Sequence, residues 1–345
     1  MKKIIAGSIV IALASVGLWN LQKSKFIESF PQIANQIPAP TPFEFQEMTV
    51  PYLRQQSFDS SLGALQSLSD NINYASYLTS YTSSGLKVNG LLTRPKGQMP
   101  DGGWPAIIFI HGYIPPTSYR TTQNYASYVD YLARNGFVVF KIDLRGHDKS
   151  EGEAGGGYYS SDYVMDTLHA YAALQSSDFV NPDQIGLWGH SMAGNVVMRT
   201  LAAKPDIPAV AIWAGAGYTY TDLQEFGIDD NSYRPPEQNT ERQRKRQRLR
   251  ELYGDFDPQS QFWKQVVPTN YLNDIKGTIG LFHAIDDAVV SIEYSRNLDS
   301  LLDNTAVEHE LNEYKSGGHN LTGNAFTQAM QRSVEFFKIH LLAKL

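Results

Sequence analysis

One serine lies in a segment whose pattern would hold its hydroxyl group accessible to a substrate. It lies in the sequence GHSMAG (residues 189–194), directly after the apolar run 185–188, and a helix-like stretch follows over residues 195–203. A sharp strand-to-helix turn needs strained backbone and small neighbours, and it holds the side chain above the sheet with the positive end of a helix behind it. Ala193 stands where glycine is usual, and Gly194 comes one residue later. The pattern predicts a nucleophile at Ser191.

A serine hydroxyl is a poor nucleophile at neutral pH, so it needs a base, and the base needs an acid to orient it. The strand-like residues 279–283 are followed by Asp286 and Asp287, and a later strand-like run is followed by two glycines and His319. The glycines allow a tight loop that can fold the histidine back toward the serine. We therefore expect His319 to be the base, with its acid among the two aspartates.

Strand-like and helix-like runs alternate through most of the chain, after a hairpin pattern at 74–83 and 86–94. The strand-like runs are 106–110, 137–142, 185–188, 209–214, 278–284 and 307–314, and the helix-like runs are 125–134, 163–174, 195–203, 292–302 and 325–342. This alternation predicts an α/β fold with a mainly parallel, doubly wound sheet.

One interval is too long for a simple crossover. It lies between the strands ending at 214 and starting at 278. Because α/β sheets bind ligands above the carboxyl ends of their strands, we expect a cap insertion at about residues 215–270 to cover the site. Within it, six of the nine residues 242–250 are basic. The favoured interpretation is a solvated helix face, and the alternative is attraction to anionic lipid or an acidic substrate.

As a set, these segments resemble the catalytic domain of the prolyl-oligopeptidase family and related esterases. The matching segments are IHGY at 110–113, DLRGH at 143–147 with Ser150 and Gly152, the serine turn, residues 268–287, and GGH at 317–319. They are spread over about residues 75 to 340, in the family's order.

The resemblance implies an α/β-hydrolase fold with a Ser191, Asp287, His319 triad in that chain order. It assigns the acid to Asp287, because Val290-Ser291 then matches the family's following Val-Pro or similar pair, and it leaves Asp286 as the fallback. It also implies two oxyanion donors, the backbone amides of Tyr113 and Met192, and a structural role for His111.

Peptidase activity is less well supported than the fold. Members of the peptidase family usually carry a β-propeller before this domain, and the roughly fifty residues from the start of the predicted linker at 23 to the first predicted strand at 74 are too few for one. We therefore expect a small-molecule ester or a short peptide as the substrate. The rival from another class is a non-catalytic surface protein that binds through the cap.

Composition limits the partners and cofactors. The chain has 345 residues, a formal charge of −6 and no cysteine. Mild acidity argues against nucleic acid as a partner, and neither a metal-binding histidine spacing nor a phosphate-binding glycine loop is found. We expect no cofactor and no metal.

The N-terminus resembles an export segment. Two lysines precede an apolar run over residues 4–19, so residues 1–22 are predicted to be a signal peptide or a membrane anchor. The sequence ALA at 12–14 offers a cleavage site, but the apolar run continues past it, which favours an uncleaved anchor. A Pro- and Gln-rich linker at 23–51 and a catalytic domain at 52–345 would follow. We expect this domain to be extracytoplasmic.

Overall fold

The computed structural model describes residues 42–155, 157–233 and 240–342, and the folded unit begins at Phe45. The predicted signal or anchor segment 1–22 and most of the predicted linker lie outside the described residues. Within the described ranges, no helix combines the length and the apolar character needed to cross a membrane.

A single nine-stranded sheet forms the frame, in the order β1-β2-β3-β5-β4-β6-β7-β8-β9. The first three strands and the β3–β5 pair are antiparallel, and every later pair is parallel. The strands are β1 Gln66–Asp70, β2 Tyr74–Ser83, β3 Leu86–Pro95, β4 Trp104–Ile110, β5 Val138–Ile142, β6 Val180–His190, β7 Ala209–Trp213, β8 Thr278–Ala284 and β9 His309–Tyr314.

Helices cover both faces of the sheet, which is why the central strands β5, β7 and β8 are buried along their whole length and are mostly apolar. The described α-helices are α1 Val50–Gln55, α2 Ala126–Arg134, α3 Asp162–Gln175, α4 Ala193–Ala203, α5 Tyr220–Glu225, α6 Glu241–Tyr253, α7 Gln261–Val266, α8 Glu293–Leu302 and α9 Asn324–Leu342. Helices α3, α4 and α8 share one core cluster, and α2 and α9 share the other. The predicted α/β class and mainly parallel sheet are confirmed.

The end of the predicted linker is folded. A 3-10 helix at Gln46–Met48 leads into α1, and Met48, Val50 and Leu53 are buried. Pro51 lies in the first turn of α1, where proline starts a helix rather than breaking one. The predicted boundary at residue 52 therefore falls inside an element that packs on the domain.

The described part of the interval 215–270 holds three helices, which share an apolar cluster with Met48. Helices α5, α6 and α7 lie here, and the cap cluster consists of Met48, Tyr220, Leu249, Phe262, Trp263, Val266 and Val267. The basic run lies on α6, whose only buried residue is Leu249. Lys245 pairs with Glu241 at 3.0 Å and Arg246 lies 4.6 Å from the Tyr159 ring centre, so these cations interact within the chain.

Candidate active site

Ser191 occupies the turn between β6 and α4. Its φ of +57° is left-handed, a conformation that costs a serine free energy and persists only where the surroundings enforce it. Its amide donates to the Trp213 carbonyl at 3.0 Å, and its carbonyl accepts from the Gly194 amide at 2.8 Å. The strained serine is thus fixed to the neighbouring strand and to the helix behind it.

The alanine in place of glycine is accommodated because two glycines provide the space. A Cβ on Gly194 would lie 2.8 Å from the Gly215 Cα atom, so the backbone after β7 approaches the turn closely at Gly194 rather than at Ala193. A Cβ on Gly189 would lie 3.2 Å from the Ala193 Cβ, which shows that the alanine methyl uses the room that Gly189 leaves. Ala193 is therefore compatible with an undistorted turn.

Asp287 and His319 are joined directly. The loops after β8 and β9 bring the Nδ1 atom of His319 to 2.8 Å from the Oδ2 atom of Asp287. The other carboxylate oxygen accepts from the amides of Val289 and Val290, at 2.8 and 3.0 Å. Burial alone would raise the pKa of this carboxyl, but the hydrogen bonds it accepts outweigh burial and lower the pKa below its usual range. Asp287 is therefore ionised and fully oriented.

Asp286, the fallback acid, has other partners. Its carboxylate accepts from the backbone amides of Gly317 at 3.3 Å and Gly318 at 2.8 Å. It therefore stabilises the loop that carries His319 without contacting the imidazole.

A second histidine, which the sequence reasoning missed, contacts the same carboxylate. His283 is buried, and its Nε2 atom lies 3.1 Å from Asp287 Oδ2 and 3.0 Å from the Val290 carbonyl. Its Nδ1 atom lies 2.8 Å from the Ser295 hydroxyl. The carboxylate and carbonyl oxygens that face Nε2 require a proton there, so His283 donates to Asp287. Its place at the end of an apolar strand gave no signal beyond core packing.

Ser191 and His319 line one cavity of about 440 Å³ at the carboxyl ends of the parallel strands. Asp230 and Ser232, from the predicted cap interval, line it as well. The ring of Tyr233 lies 5.5 Å from that of Tyr113, which also lines the cavity. Residues of the predicted cap interval therefore form part of the wall of the cavity that Ser191 lines.

Of the two residues predicted to supply oxyanion donors, Tyr113 lines this cavity, and Met192 directly follows Ser191, which also lines it. Met192 is the N-cap residue of α4, so its amide belongs to the positive end of a helix. Tyr113 ends the segment His111–Tyr113, here called the oxyanion loop. The ring nitrogens of His111 lie 2.7 and 3.0 Å from the carbonyl oxygens of Gly112 and Asp143, so this buried histidine contacts two backbone carbonyl groups.

The arrangement offers parts for nucleophilic acyl transfer: a half-buried hydroxyl on the cavity wall, an imidazole oriented by a carboxylate, and the Met192 amide at a helix N-terminus. Among the described residues, no group of three or more histidine, aspartate or glutamate side chains is placed to hold a metal ion.

A family model and several known proteins match this chain. A family model described as serine aminopeptidase, S33, matches residues 105–228, which include the oxyanion loop and the serine turn. An uncharacterized peptidase of Bacillus subtilis, YtmA, is 25% identical over 233 residues, which are 66% of this chain and 79% of that protein. The chain is a serine hydrolase. Its relationship is to the peptidases and esterases of the prolyl-oligopeptidase type, as the sequence resemblance implies.

Other relatives match the hydrolase over part of their length. Mouse dipeptidyl peptidase 8 is 29% identical over 167 residues, which are 46% of this chain but only 18% of that protein. Prolyl endopeptidase of Elizabethkingia miricola is 27% identical over 179 residues, 46% of this chain and 24% of that enzyme. The chain therefore spans about a quarter or less of the length of these two peptidases.

Solved structures show the fold. Acetyl xylan esterase 1 from Thermoanaerobacterium superposes with a TM-score of 0.57 and 19% identity, covering 87% of the hydrolase and 95% of the esterase. Dipeptidyl peptidase 4 of Porphyromonas gingivalis gives a TM-score of 0.59 and 16% identity, covering 78% of the hydrolase and 36% of that chain. Esterases and peptidases thus share this α/β-hydrolase fold.

Proposed function

We propose that the hydrolase cleaves the ester or peptide bond of a small substrate through an acyl-enzyme on Ser191. The observation that carries the proposal is the 2.8 Å bond between Asp287 and His319, beside a cavity that the strained Ser191 also lines. A catalytic histidine needs an ionised carboxylate that orients it, whereas a surface protein that only binds a partner does not.

In the proposed reaction, the hydroxyl oxygen of Ser191 attacks the substrate carbonyl carbon while Nε2 of His319 takes the hydroxyl proton. Asp287 accepts from Nδ1–H, which keeps Nε2 free as the base and stabilises the imidazolium. The tetrahedral oxyanion binds the amides of Met192 and Tyr113, and it collapses as His319 protonates the leaving group. Water then repeats the sequence on the acyl-enzyme and releases the acid.

The cavity volume of about 440 Å³ supports a small substrate, and Asp230 on its wall favours a substrate with a positive charge. Asp230 places a carboxylate on the cavity wall, and its Oδ1 atom accepts from the Ser232 amide at 2.8 Å. A negative charge there suits a substrate with a free amino group, such as an amino-acid amide or a short peptide. The serine aminopeptidase description of the matching family model supports the same choice, while the esterase neighbours support an uncharged acyl ester.

We also propose that the hydrolase acts outside the cytoplasm, anchored by residues 1–22 or released from them. The support is the sequence alone, with two lysines before an apolar run. Fractionation of expressing cells, with and without external protease, tests this localisation.

The test of function compares p-nitrophenyl acetate with aminoacyl p-nitroanilides, using the purified full chain beside its Ser191→Ala form. The variant should lose turnover by about 10⁴- to 10⁶-fold, as in other triads. Ester turnover alone, lost in the variant, assigns a carboxylic-ester hydrolase, and serine-dependent anilide cleavage assigns a peptidase. Equal rates with and without the serine hydroxyl would refute the nucleophile.

A further inference from the structure

A chain of hydrogen bonds that the catalytic steps do not use runs along the wall of the cavity, which Tyr125 and His190 both line. The Gly112 amide donates to the Tyr125 hydroxyl at 3.1 Å. That hydroxyl lies 2.7 Å from Nδ1 of His190, and Nε2 of His190 lies 2.8 Å from the carbonyl oxygen of His319. The chain thus connects the oxyanion loop to the loop of the catalytic base, through the residue that precedes the nucleophile.

The proton positions in this chain follow from its ends. A carbonyl oxygen only accepts, so Nε2 of His190 must carry a proton. Burial, with the neighbouring His319, lowers the pKa of His190 to about 3, so its imidazole is neutral and Nδ1 is bare. The Tyr125 hydroxyl must then donate to Nδ1, and its oxygen is left to accept from the Gly112 amide. Each link has a single direction.

The backbone is strained at Tyr125, the tyrosine of this hydrogen-bonded chain. Tyr125 has a φ of +60°, a left-handed conformation that is uncommon for a bulky residue. Its ring packs edge-on against Phe109 at 5.3 Å between ring centres. Tyr125, within the hydrogen-bonded chain, and Ser191, which directly follows its other member His190, therefore both have left-handed backbone. Such strain persists only where the surroundings determine the geometry.

The His319 loop has a second anchor, on helix α2, whose N-cap residue is Tyr125. The hydroxyl of Tyr128 donates to the carbonyl of Asn320 at 3.0 Å. Two successive carbonyls, of His319 and Asn320, therefore accept from side chains, and the rings of His190 and His319 lie 4.7 Å apart. Gly112 fits this arrangement, because a Cβ there would lie 2.9 Å from the Tyr125 hydroxyl and 3.1 Å from His190 Nδ1.

We propose that Tyr125 and His190 are positioning residues that hold the oxyanion loop and the His319 loop in register with Ser191. This inference rests on the proposed acyl-enzyme function. In that reaction, the oxyanion donors and the base must meet one tetrahedral centre together, and a misplacement of about 1 Å costs on the order of 10²-fold in rate. Removing either side chain disconnects the two loops from each other.

The experiment measures kcat and KM for p-nitrophenyl acetate per active site, titrated with a fluorophosphonate, together with the melting temperature. Tyr125→Phe removes one hydroxyl and should lower kcat by about tenfold with KM within about twofold. His190→Leu removes both bonds and should lower kcat by about 10²-fold. His190→Gln should keep kcat within about threefold of wild type, because its amide can accept from Tyr125 and donate to His319.

The matched control is Tyr81→Phe. Tyr81 is a buried tyrosine whose hydroxyl has no hydrogen-bond partner among the described residues, so the variant should leave kcat unchanged. If Tyr125→Phe and His190→Leu both kept wild-type kcat per titrated site, or if His190→Gln fell as far as His190→Leu, the positioning role would be wrong. Should His190→Leu fail to fold, Tyr125→Phe and His190→Gln decide the matter.

The two proposals fail differently. Wild-type protein that does not titrate at Ser191 would refute the acyl-enzyme function itself. Wild-type protein that titrates normally, beside variants of unchanged kcat, would refute only the role of Tyr125 and His190.

Discussion

Replacing Asp287 by asparagine exchanges one oxygen of a fully bonded carboxylate for an NH₂ group. One side of the carboxylate faces the amides of Val289 and Val290, which can only donate. The other side faces His319, whose ring proton can move between nitrogens, and His283, whose Nε2 proton can still be donated to the Val290 carbonyl. The amide oxygen should therefore take the side of the two backbone donors, and the NH₂ group should face the imidazoles.

This orientation sets the size of the effect. An NH₂ group facing His319 forces Nδ1 to become an acceptor, which moves the ring proton to Nε2, where it blocks transfer from Ser191. A wrong tautomer of this kind lowers kcat by about 10⁴-fold in the best-studied protease triad, which corresponds to about 5.5 kcal/mol of transition-state stabilisation. Asp286→Asn is the matched control. Its amide oxygen can still accept from the Gly318 amide, which lies 2.8 Å from Asp286 in the wild type, so we expect a change within about fivefold.

The assay is steady-state hydrolysis of p-nitrophenyl acetate by both variants and wild type at pH 7, with melting temperatures measured in parallel. The reasoning predicts that Asp287→Asn melts close to wild type but loses nearly all turnover. It would be refuted by an Asp287→Asn protein that keeps more than about a tenth of wild-type kcat, or by an Asp286→Asn protein that loses more activity than Asp287→Asn.

Three further predictions concern residues around the triad. His283→Phe should lower kcat by about tenfold, because Asp287 loses one donor to the oxygen that orients His319; an unchanged kcat in a folded variant contradicts this role. Asp230→Asn should raise KM for aminoacyl anilides by about fivefold and leave that for p-nitrophenyl acetate unchanged, since a partly exposed ion pair is worth about 1 kcal/mol; equal effects on both substrates would remove its role in amine binding. The buried His190 has a pKa lowered by burial to about 3, from 6.5, so the unfolded chain takes up a proton below pH 6.5 that the folded protein does not. Stability should therefore fall as the pH falls from about 6 to 4, and urea unfolding of His190→Gln should show a slope smaller by about 1.4 kcal/mol per pH unit; parallel slopes would mean that His190 is protonated in the fold.

The sequence predicts the frame of this molecule well, because the frame is specified locally. The central parallel strands carry apolar runs because both faces of the sheet are covered, so they stand out, and the run 278–284 has the bounds of β8. Strand β1 escapes prediction because all five of its residues are exposed and carry no apolar alternation. Helix α1 escapes it because Met48, just ahead of the helix, is buried in the cap cluster among residues far along the chain, a contact that no local pattern records.

The site divides in the same way. The positions of Ser191 and His319 follow from short motifs, since a strained turn and a tight loop need small residues nearby. The choice between Asp286 and Asp287 rested on a resemblance, and local composition left it open. His283 and Tyr125 gave no chemical signal at all: one is a histidine in an apolar strand and the other one of 20 tyrosines. Their parts become visible only when the fold brings their ring and hydroxyl atoms to the two catalytic loops.

The central claim is an acyl-enzyme on Ser191, and its most direct test is to trap that species. The full chain is mixed with p-nitrophenyl acetate, quenched in acid within the first turnover, digested and mapped by mass spectrometry. We predict an acetyl group on the peptide that contains Ser191, formed with a burst of about one equivalent of p-nitrophenol per site, and neither signal from Ser191→Ala. Sustained ester hydrolysis with no acetyl group on Ser191, or a burst that survives in Ser191→Ala, would contradict the account.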